Sequence, residues 1–342
     1  MPSSTPRVSV VMPVRDTELY LDDAMTSLTR QFDDPHDLEV VVVDDGSGDA
    51  TPDIAESYAD RLPNLTVLRN REPVGAATAR NQGLAGSNGR YITYLDGDDW
   101  YAPHHLRDVT DAIEAFGVPI LRHDHVTVQD GQRRVVRAME PVREQVLDPR
   151  ESILPTDRPT MVDYPYGWAG VYDRAIADDG LLTFSDGMRT ATDRAWVWRL
   201  HLQGTGYVVT NHSGVCYRRG VTTSLTQIYD ERRLDFTRAF AEIHGILDED
   251  RETDRFLPKL ARTVLAIVDH HLGFAEHMPA ELLAELNRRS AELIRTFPAE
   301  MVRVQLEQSG PRRWVTLRDV LPPELAPSPE MLAAELAVSA PA

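Results

Sequence analysis

A nearly continuous apolar run at residues 38–43 (LEVVVV) constrains the fold of this chain more than any other feature. Its β-branched residues favour a strand, and it ends directly at Asp44 and Asp45. A strand that is apolar on both faces is typical of a parallel sheet covered by helices on each side. The run therefore predicts an α/β fold built on a mostly parallel sheet.

The first 105 residues repeat an alternation of strands and helices around this run. Further strands are predicted at residues 8–14, 65–68 and 91–95, and helices at residues 19–28, from Thr51 onward and at residues 75–84. Such an alternation indicates an open sheet flanked by helices. Ligands of these sheets bind outside the carboxyl ends of the strands.

Acidic and turn-forming residues stand at the carboxyl ends of three predicted strands. They are Pro13 and Val14, Asp44 and Asp45, and the run Asp96-Gly97-Asp98-Asp99. The three neighbouring carboxylates of the last run repel each other, and a hard divalent cation with oxygen ligands stabilises such a group. An isolated D-x-D motif is often only a solvated turn. Convergence of all three strand ends on one crevice favours a binding site instead.

The composition excludes some classes of function. The net charge of −18 argues against general nucleic-acid binding, which needs a basic surface. Cys216 is the only cysteine, so no internal disulfide forms and a reducing compartment is expected. No segment reaches the roughly 18 apolar residues of a membrane span, and the first residues lack the apolar region of a signal peptide. We therefore expect a cytoplasmic protein without a transmembrane segment, and peripheral contact with the inner face of the membrane is left open.

The length of 342 residues is typical of about two domains. Residues 1–228 are predicted to form the first domain, with halves at 1–105 and 106–228. The second half is mixed, with one helix at residues 106–116, short strands at residues 120–128 and 135–139, and a proline-rich irregular stretch.

From residue 229 onward, apolar residues recur at helical spacing. The pattern predicts a helical domain over residues 229–321, followed by a loosely held tail over residues 322–342 with a short helix at 331–336. Broad apolar stripes on these helices fit either packing onto the first domain or formation of a homo-oligomer.

Four ordered motifs resemble those of a known family. They are residues 10–14 (VVMPV), 42–47 (VVDDGS), 75–83 (GAATARNQG) and 95–99 (LDGDD). Together they resemble the GT-A glycosyltransferases of family 2, over roughly the first 105 residues. The resemblance implies a GT-A (Rossmann-like) sheet with a C-terminal helical domain. It also implies an inverting enzyme that moves a hexosyl or N-acetylhexosaminyl group from a nucleotide-sugar donor, here predicted to be UDP-linked.

The resemblance further implies the residues of the donor site. Asp44 and Asp45 lie where the family holds the nucleobase and ribose, and Arg80 and Asn81 lie where its members contact the nucleotide and diphosphate. Pro13, Val14 and Gly97 complete the nucleotide-binding set.

Metal binding is assigned to the acidic turn by the same resemblance. Asp96 resembles a residue that contacts ribose or metal, Asp98 the direct metal ligand, and Asp99 a residue that orients Asp98 or the donor sugar. Mn²⁺ or Mg²⁺ suits these oxygen ligands and would neutralise the leaving diphosphate. His104 and His105 lack metal-ligand spacing and are interpreted as surface residues.

Residues 192–200 (TDRAWVWRL) resemble the helix that supplies the catalytic base in this family. Asp193 is the predicted base, which takes the proton of the acceptor hydroxyl. Thr192 departs from the family, where glutamate is common, and a mere helix cap is the alternative role for Asp193. Asp186 is predicted to contact the acceptor. Trp168 is interpreted as a platform for a sugar or, alternatively, as a core aromatic.

Arg218, Arg219 and Ser224 resemble a mobile loop that closes over the diphosphate, with a basic connecting loop as the alternative. The domain order resembles bacterial cell-wall polymer and teichoic-acid transferases, which implies a carbohydrate or polyol-polymer acceptor, a polysaccharide or a metabolite. A polyphosphate acceptor would need a local basic groove in this acidic protein. Its candidates are Arg122, Arg133, Arg134 and Arg137.

Two other functions remain open from the sequence. A sugar-nucleotide pyrophosphorylase or nucleotidyltransferase would need a glycine-rich phosphate loop after the first strand, and residues 14–17 (VRDT) contain no glycine. A degenerate GT-A domain that serves as a carbohydrate-binding or assembly module is the non-enzymatic alternative. Failure to bind any nucleotide sugar would favour that module.

Overall fold

The computed structural model describes residues 5–221 and 229–332. These residues fall into two compact units. The first contains the described residues up to Ser152 and those from Thr160 to 221, and the second contains Ile153–Pro159 together with the described residues from 229 onward.

The strands all belong to the first unit within the described ranges. In chain order they are β1 (Val8–Val14), β2 (Leu38–Asp44), β3 (Leu65–Arg69), β4 (Tyr91–Tyr94), β5 (Trp100–Tyr101), β6 (Ile120–His123), β7 (His125–Gln129), β8 (Gln132–Val136), β9 (Gly170–Asp173), β10 (Tyr207–Thr210) and β11 (Val215–Arg218). The α-helices of the same unit are α1 (Leu21–Leu28), α2 (Thr51–Glu56), α3 (Ala76–Gly86), α4 (His105–Phe116), α5 (Ala175–Asp178) and α6 (Thr192–Gln203).

The central sheet of the first unit has seven strands in the order β10-β6-β9-β4-β1-β2-β3. Strand β9 runs antiparallel to β4 and β6, and the other neighbours are parallel. Every residue of β2 is buried, as expected for a strand covered on both faces. The predicted mostly parallel α/β sheet flanked by helices, followed by a helical C-terminal region, is confirmed.

Glu39 is a buried carboxylate of β2 that lies near the amino ends of the strands. Glu39 accepts hydrogen bonds from the Ser9 hydroxyl at 2.5 Å and from the backbone and side chain of Asn88 at 2.6 and 3.0 Å. Burial raises the pKa of Glu39, but these donors outweigh it and leave the pKa below its usual value. The Glu39 carboxylate therefore links β1, β2 and the turn before β4 through hydrogen bonds. These contacts lie away from the edge of the sheet where Asp44 and Asp96 lie.

The single strand predicted at residues 120–128 is wrong, because the chain bends at Asp124. Strand β6 belongs to the central sheet, and β7 belongs to a second sheet with the order β5-β11-β7-β8. The buried Asp124 carboxylate accepts from the Ala138 backbone at 2.9 Å and pairs with Arg143 at 2.9 Å. These partners stabilise the buried carboxylate between the two strands.

The second unit consists of helices α7 (Asp235–Asp248), α8 (Thr253–Leu272), α9 (Ala280–Ile294), α10 (Ala299–Ser309) and α11 (Pro311–Thr316). Lys259, the only lysine of the chain, is fully buried on α8 and donates to the Arg158 carbonyl at 2.7 Å. Leu325 is also buried, and its carbonyl accepts from the Trp314 indole at 2.6 Å. The short helix predicted at residues 331–336 lies largely outside the described residues.

Candidate functional site

The acidic turn that follows β4 contains a buried carboxylate. Asp99 is 1% exposed, and its Oδ1 accepts from the Arg218 backbone N–H at 2.8 Å. Its Oδ2 is buried and has no hydrogen-bond partner among residues 5–221 and 229–332. Burial, followed by the charges of Asp98 and Asp96, raises the pKa of Asp99 well above its usual value. The turn therefore holds more negative charge than its own donors satisfy.

The same turn fits a hard cation that brings further ligands with it. Burial, with a smaller contribution from Asp96, raises the pKa of Asp98 to about 6. The described part of the chain contains no group of three histidine, cysteine or acidic side chains able to hold a metal alone. Mg²⁺ and Mn²⁺ are commonly bound by one or two carboxylates plus substrate phosphates, and Asp98 and Asp99 suit that arrangement.

Gly97 allows the acidic turn to approach β1. A Cβ at this position would lie 2.8 Å from Val14 Cγ1 and 3.1 Å from Thr17 Oγ1. Val14 in turn accepts from the Asp45 backbone at 2.8 Å, so the ends of β1, β2 and β4 meet as the sequence indicated. Pro13 lies on β1 one residue earlier.

Asp45 organises the loop before α3. Its carboxylate accepts from the backbone of Val74 at 2.7 Å and Gly75 at 2.8 Å, and from the Asn70 amide at 3.0 Å. The neighbouring Asp44 is buried and accepts from the Ser47 backbone at 3.0 Å. Both carboxylates thus lie at the predicted edge of the sheet, and both accept hydrogen bonds from neighbouring loops of the protein. Their contact with a nucleobase stays a prediction.

Arg80 on α3 lies between two carboxylates from different elements. Its Nη2 donates to Asp96 Oδ1 at 2.9 Å, and its Nη1 lies 3.3 Å from Asp193 Oδ1 and 3.2 Å from the Thr192 hydroxyl. The guanidinium is buried and packs over the Phe184 ring at 5.2 Å. The family motif predicted that Arg80 contacts the nucleotide. Its contact with Asp193 could not be predicted from the sequence.

Asp193 lies in the first turn of α6, where the sequence placed the base. Burial raises its pKa, and Asp96 adds to this effect, whereas Arg80, the Gly167 N–H and Thr192 lower it. The net pKa is above the usual value of aspartate. A carboxylate of raised pKa that stays ionised beside a cation is a stronger base than a solvated one.

Asp186 and Asn81 meet beside this helix. Asp186 Oδ1 accepts from the Thr78 hydroxyl at 2.7 Å and from Asn81 Nδ2 at 3.3 Å. Asn81 also pairs with the backbone of Phe184. Helix α3 therefore holds the segment that leads into α6. This tie between distant residues was missed, and only the position of Asn81 next to Arg80 could have suggested it.

Trp168 lies within a cluster of aromatic rings. It is 4% exposed, and its ring centroid is 4.8 Å from that of Tyr166, 4.9 Å from His125 and 5.3 Å from Tyr217. His125 bonds to the Tyr164 hydroxyl at 2.5 Å, and burial lowers the pKa of His125 to about 4. The burial of Trp168 agrees with the core alternative. The partly exposed Tyr166 and Tyr217 form the accessible side of the cluster.

Arg218 fastens the acidic turn to β11. Its Nε donates to the Asp98 carbonyl at 2.9 Å, and its Nη2 pairs with Asp23 at 2.8 Å. The guanidinium lies 4.6 Å from the Trp100 ring centroid and 5.1 Å from that of Tyr20. The neighbouring Arg219 lies over the Tyr217 ring at 5.6 Å, and Ser224 lies outside the described residues. The lid role of these residues stays a prediction.

Two expectations about exposed basic residues are wrong. Arg122 is fully buried and donates to the carbonyls of Ala169, Tyr164 and Tyr166, so it lines no groove. His105 is also buried rather than on the surface, because Gly214 and the ring of His123 cover it. Arg133, Arg134 and Arg137 are exposed on and after β8, as a basic surface requires.

Comparison with known proteins gives concordant matches. The model of the family "Glycosyl transferase family 2" matches residues 9–179, which is half of the chain. The uncharacterized glycosyltransferase EpsJ of Bacillus subtilis is 28% identical over 198 residues, or 55% of this chain and 54% of that protein. The minor teichoic acid biosynthesis protein GgaB of the same organism is 38% identical over 91 residues, or 27% of this chain and 10% of that protein. The chain thus matches about half or less of these relatives.

A solved structure shows the same fold over most of the chain. The crystal structure of S. aureus TarS 1-349 in complex with UDP-GlcNAc has a TM-score of 0.73 at 20% sequence identity, and the likeness covers 92% of this chain and 89% of that one. Within the described residues, no helix is long and apolar enough to span a bilayer.

Proposed function

Because the chain belongs to glycosyl transferase family 2, we propose that it transfers a sugar from a UDP-linked donor to an acceptor hydroxyl, in a metal-dependent reaction that inverts the anomeric centre. The family makes the protein a glycosyltransferase, as its motifs predicted. The observation that supports the finer proposal is the placement of Asp96 and Asp193 on opposite sides of the buried Arg80.

The donor side of the proposal rests on the acidic turn. Asp98 is the proposed metal ligand, and it is followed in the same turn by Asp99, whose Oδ2 has no hydrogen-bond partner in the described part of the chain. Bound Mn²⁺ or Mg²⁺ would neutralise charge on the diphosphate as the bond to the sugar breaks. The TarS structures in complex with UDP-GlcNAc and with UDP support the choice of a uridine nucleotide for the first test.

The acceptor side of the proposal rests on Asp193. In an inverting transfer, the acceptor oxygen attacks the anomeric carbon, the bond to the diphosphate breaks, and a base takes the hydroxyl proton. The burial that raises the pKa of Asp193 makes the carboxylate more basic, and the adjacent Arg80 keeps it ionised. Asp186 and the partly exposed rings of Tyr166 and Tyr217 are proposed to contact the acceptor.

The acceptor is proposed to be a carbohydrate or polyol polymer of the cell surface. The similarity of 27% of the chain to GgaB, a minor teichoic acid biosynthesis protein, supports this class. The exposed Arg133, Arg134 and Arg137 would suit an anionic polymer of this kind. We also propose that the protein acts in the cytoplasm at the inner face of the membrane, with residues 1–228 as catalytic domain.

Calorimetry tests the donor assignment. UDP, GDP and dTDP are titrated into the full chain with Mn²⁺ and with EDTA, and the UDP titration is repeated with Asp98→Asn and with the exposed control Asp33→Asn. We expect UDP alone to bind, with binding lost in EDTA and in Asp98→Asn but kept in Asp33→Asn. Binding of GDP or dTDP instead would overturn the uridine assignment, and binding of no nucleotide would favour the degenerate carbohydrate-binding module.

A further inference from the structure

We propose that Arg80 is a positioning residue that orients the base Asp193 and connects it to the donor-side Asp96. This inference rests on the proposed function, and it assigns Arg80 a role other than the diphosphate contact that its motif implies. The Arg80 guanidinium makes three side-chain contacts, to Thr192, Asp193 and Asp96, all within the first unit.

The Arg80 side chain holds two carboxylates at a fixed distance from each other. Its two terminal nitrogens face carboxylates from two different elements, Asp96 after β4 and Asp193 on α6. The guanidinium is planar and its donors are held in a fixed fork, so the two carboxylates are kept at a set separation. The Phe184 ring at 5.2 Å restricts its tilt. With only 9% of its side chain exposed, Arg80 has little surface left for a ligand.

The two carboxylate oxygens of Asp193 also differ in their hydrogen-bond contacts. Oδ1 lies 3.3 Å from Arg80 Nη1 and 3.3 Å from the Thr192 hydroxyl. Oδ2 has a long contact of 3.4 Å with the Gly167 N–H. Because Oδ1 is held and Oδ2 is weakly held, Oδ2 is the atom that would accept the proton of the acceptor. The Asp193 side chain is 19% exposed, which leaves it accessible.

Charge gives Arg80 a second effect on the base. The groups that act on Asp193 are Arg80 on α3, Asp96 after β4, Arg194 on α6, Tyr94 on β4 and Tyr172 on β9. Among them, Arg80 is the cation in hydrogen-bond reach of the carboxylate in the described structure. Loss of its charge would leave Asp96 and Asp193 as neighbouring anions with no cation between them, and Asp193 would then bind a proton more readily.

Substitutions of Arg80 separate positioning from nucleotide binding. Arg80→Gln and Arg80→Lys are compared with the wild type and with the exposed control Arg71→Gln, using the full chain with Mn²⁺. Steady-state transfer gives kcat across pH 5–9, and calorimetry gives the Kd of UDP. We expect Arg80→Gln to lower kcat by about 10²-fold and to move the acid limb of the kcat profile upward by about one pH unit, with the Kd within about threefold. Arg80→Lys should return the acid limb of the kcat profile to its wild-type position and restore part of kcat.

The outcomes are distinguishable. A Kd raised about tenfold or more, with an unshifted pH profile, would make Arg80 a nucleotide contact and overturn the positioning role. Should Arg80→Gln fail to fold, Arg80→Lys keeps the charge but loses the planar fork, and an unchanged kcat in that variant would also overturn the positioning role. A wild type that binds no nucleotide and transfers no sugar would overturn the proposed function itself, whereas active wild type with an unaffected Arg80→Gln would overturn only the positioning role.

Discussion

The side-chain amide of Asn81 pairs with the backbone of Phe184 in both directions. Its Nδ2 donates to the Phe184 carbonyl at 2.8 Å, and its Oδ1 accepts from the Phe184 N–H at 2.8 Å. Asn81 follows Arg80 on α3, so one helix positions both the segment before α6 and the guanidinium beside Asp193. The two halves of the candidate site therefore depend on consecutive residues of the glycine- and alanine-rich helix.

The Asn81 pairing has a measurable consequence. Asn81→Asp keeps the acceptor but replaces the donor by a carboxylate oxygen that faces the Phe184 carbonyl. We expect kcat to fall by about tenfold or more and the free energy of unfolding to fall by about 1–3 kcal/mol, with the Kd of UDP unchanged. Kinetics, denaturant unfolding and calorimetry measure these quantities. An increased Kd with normal kcat would instead support the nucleotide contact that the family resemblance implies.

Asp193→Asn tests the base directly. The amide keeps the shape of the side chain but cannot take the acceptor proton, so kcat should fall by about 10²–10⁴-fold. The Kd of UDP should stay within about threefold, because Asp193 contacts Arg80 rather than the acidic turn. Transfer assays and calorimetry on the same preparation give both numbers. Normal transfer with weakened nucleotide binding would show that the role is wrong.

Asp45→Asn tests the carboxylate that holds the loop before α3. The new NH₂ group would face one of the donors now bound, the N–H of Val74 or Gly75 or the amide of Asn70. We expect the free energy of unfolding to fall by about 1–3 kcal/mol, because a buried donor loses its acceptor. Chemical denaturation of this variant is compared with exposed Asp33→Asn. Equal stability of the two would contradict the structural role of Asp45.

Two glycine-to-alanine substitutions should have opposite effects. A Cβ at Gly83 would overlap Val11 Cγ1 and lie 3.2 Å from Val43 Cγ2, so Gly83→Ala should destabilise the first unit by about 1–3 kcal/mol. Gly245 on α7 has open space, and Gly245→Ala should stabilise the second unit by about 0.5–1 kcal/mol through helix propensity. Differential scanning calorimetry measures both. Similar shifts in the same direction would contradict this difference in packing.

Buried histidines should make the first unit sensitive to acid. Burial lowers the pKa of His123 to about 3 and that of His201 to about 4. In the unfolded chain, a histidine has a pKa of about 6.5. Between pH 6.5 and 4 the unfolded chain binds more protons, so these groups make stability fall as the pH falls. For His201 the loss approaches about 3 kcal/mol near pH 4, at about 1.4 kcal/mol per pKa unit.

A pair of variants isolates this effect from carboxyl groups such as Asp98, whose raised pKa acts in the opposite direction. Denaturation at pH 7.5, 6 and 5 is compared for wild type, His201→Gln and the exposed control His36→Gln. His201→Gln should be less stable than wild type at pH 7.5, and the difference should shrink toward pH 5. A constant difference across the three pH values would show that His201 does not titrate as stated.

The parts of the fold that the sequence predicted are those set by local pattern. The apolar run of β2, the alternation around it and the acidic residues at the strand ends require no knowledge of distant contacts. The bend at Asp124, the burial of Arg122 and the orientation of Arg80 each depend on partners between 14 and 113 residues away, such as Ala138 and Asp193. Single-sequence patterns contain no measure of such pairing.

The assignment of Ile153–Pro159 to the second unit has a consequence for how the two units can be exchanged. The chain enters the helical unit twice, once as this internal segment and again from residue 229 onward. Lys259 donates to the carbonyl of Arg158 within that segment, so the helices obtain a hydrogen-bond acceptor from the middle of the polypeptide. Fusion of the residues from 229 onward alone would therefore transfer the helices without this internal segment of their own unit. A chimera that keeps the helical unit intact must inherit both pieces from the same parent.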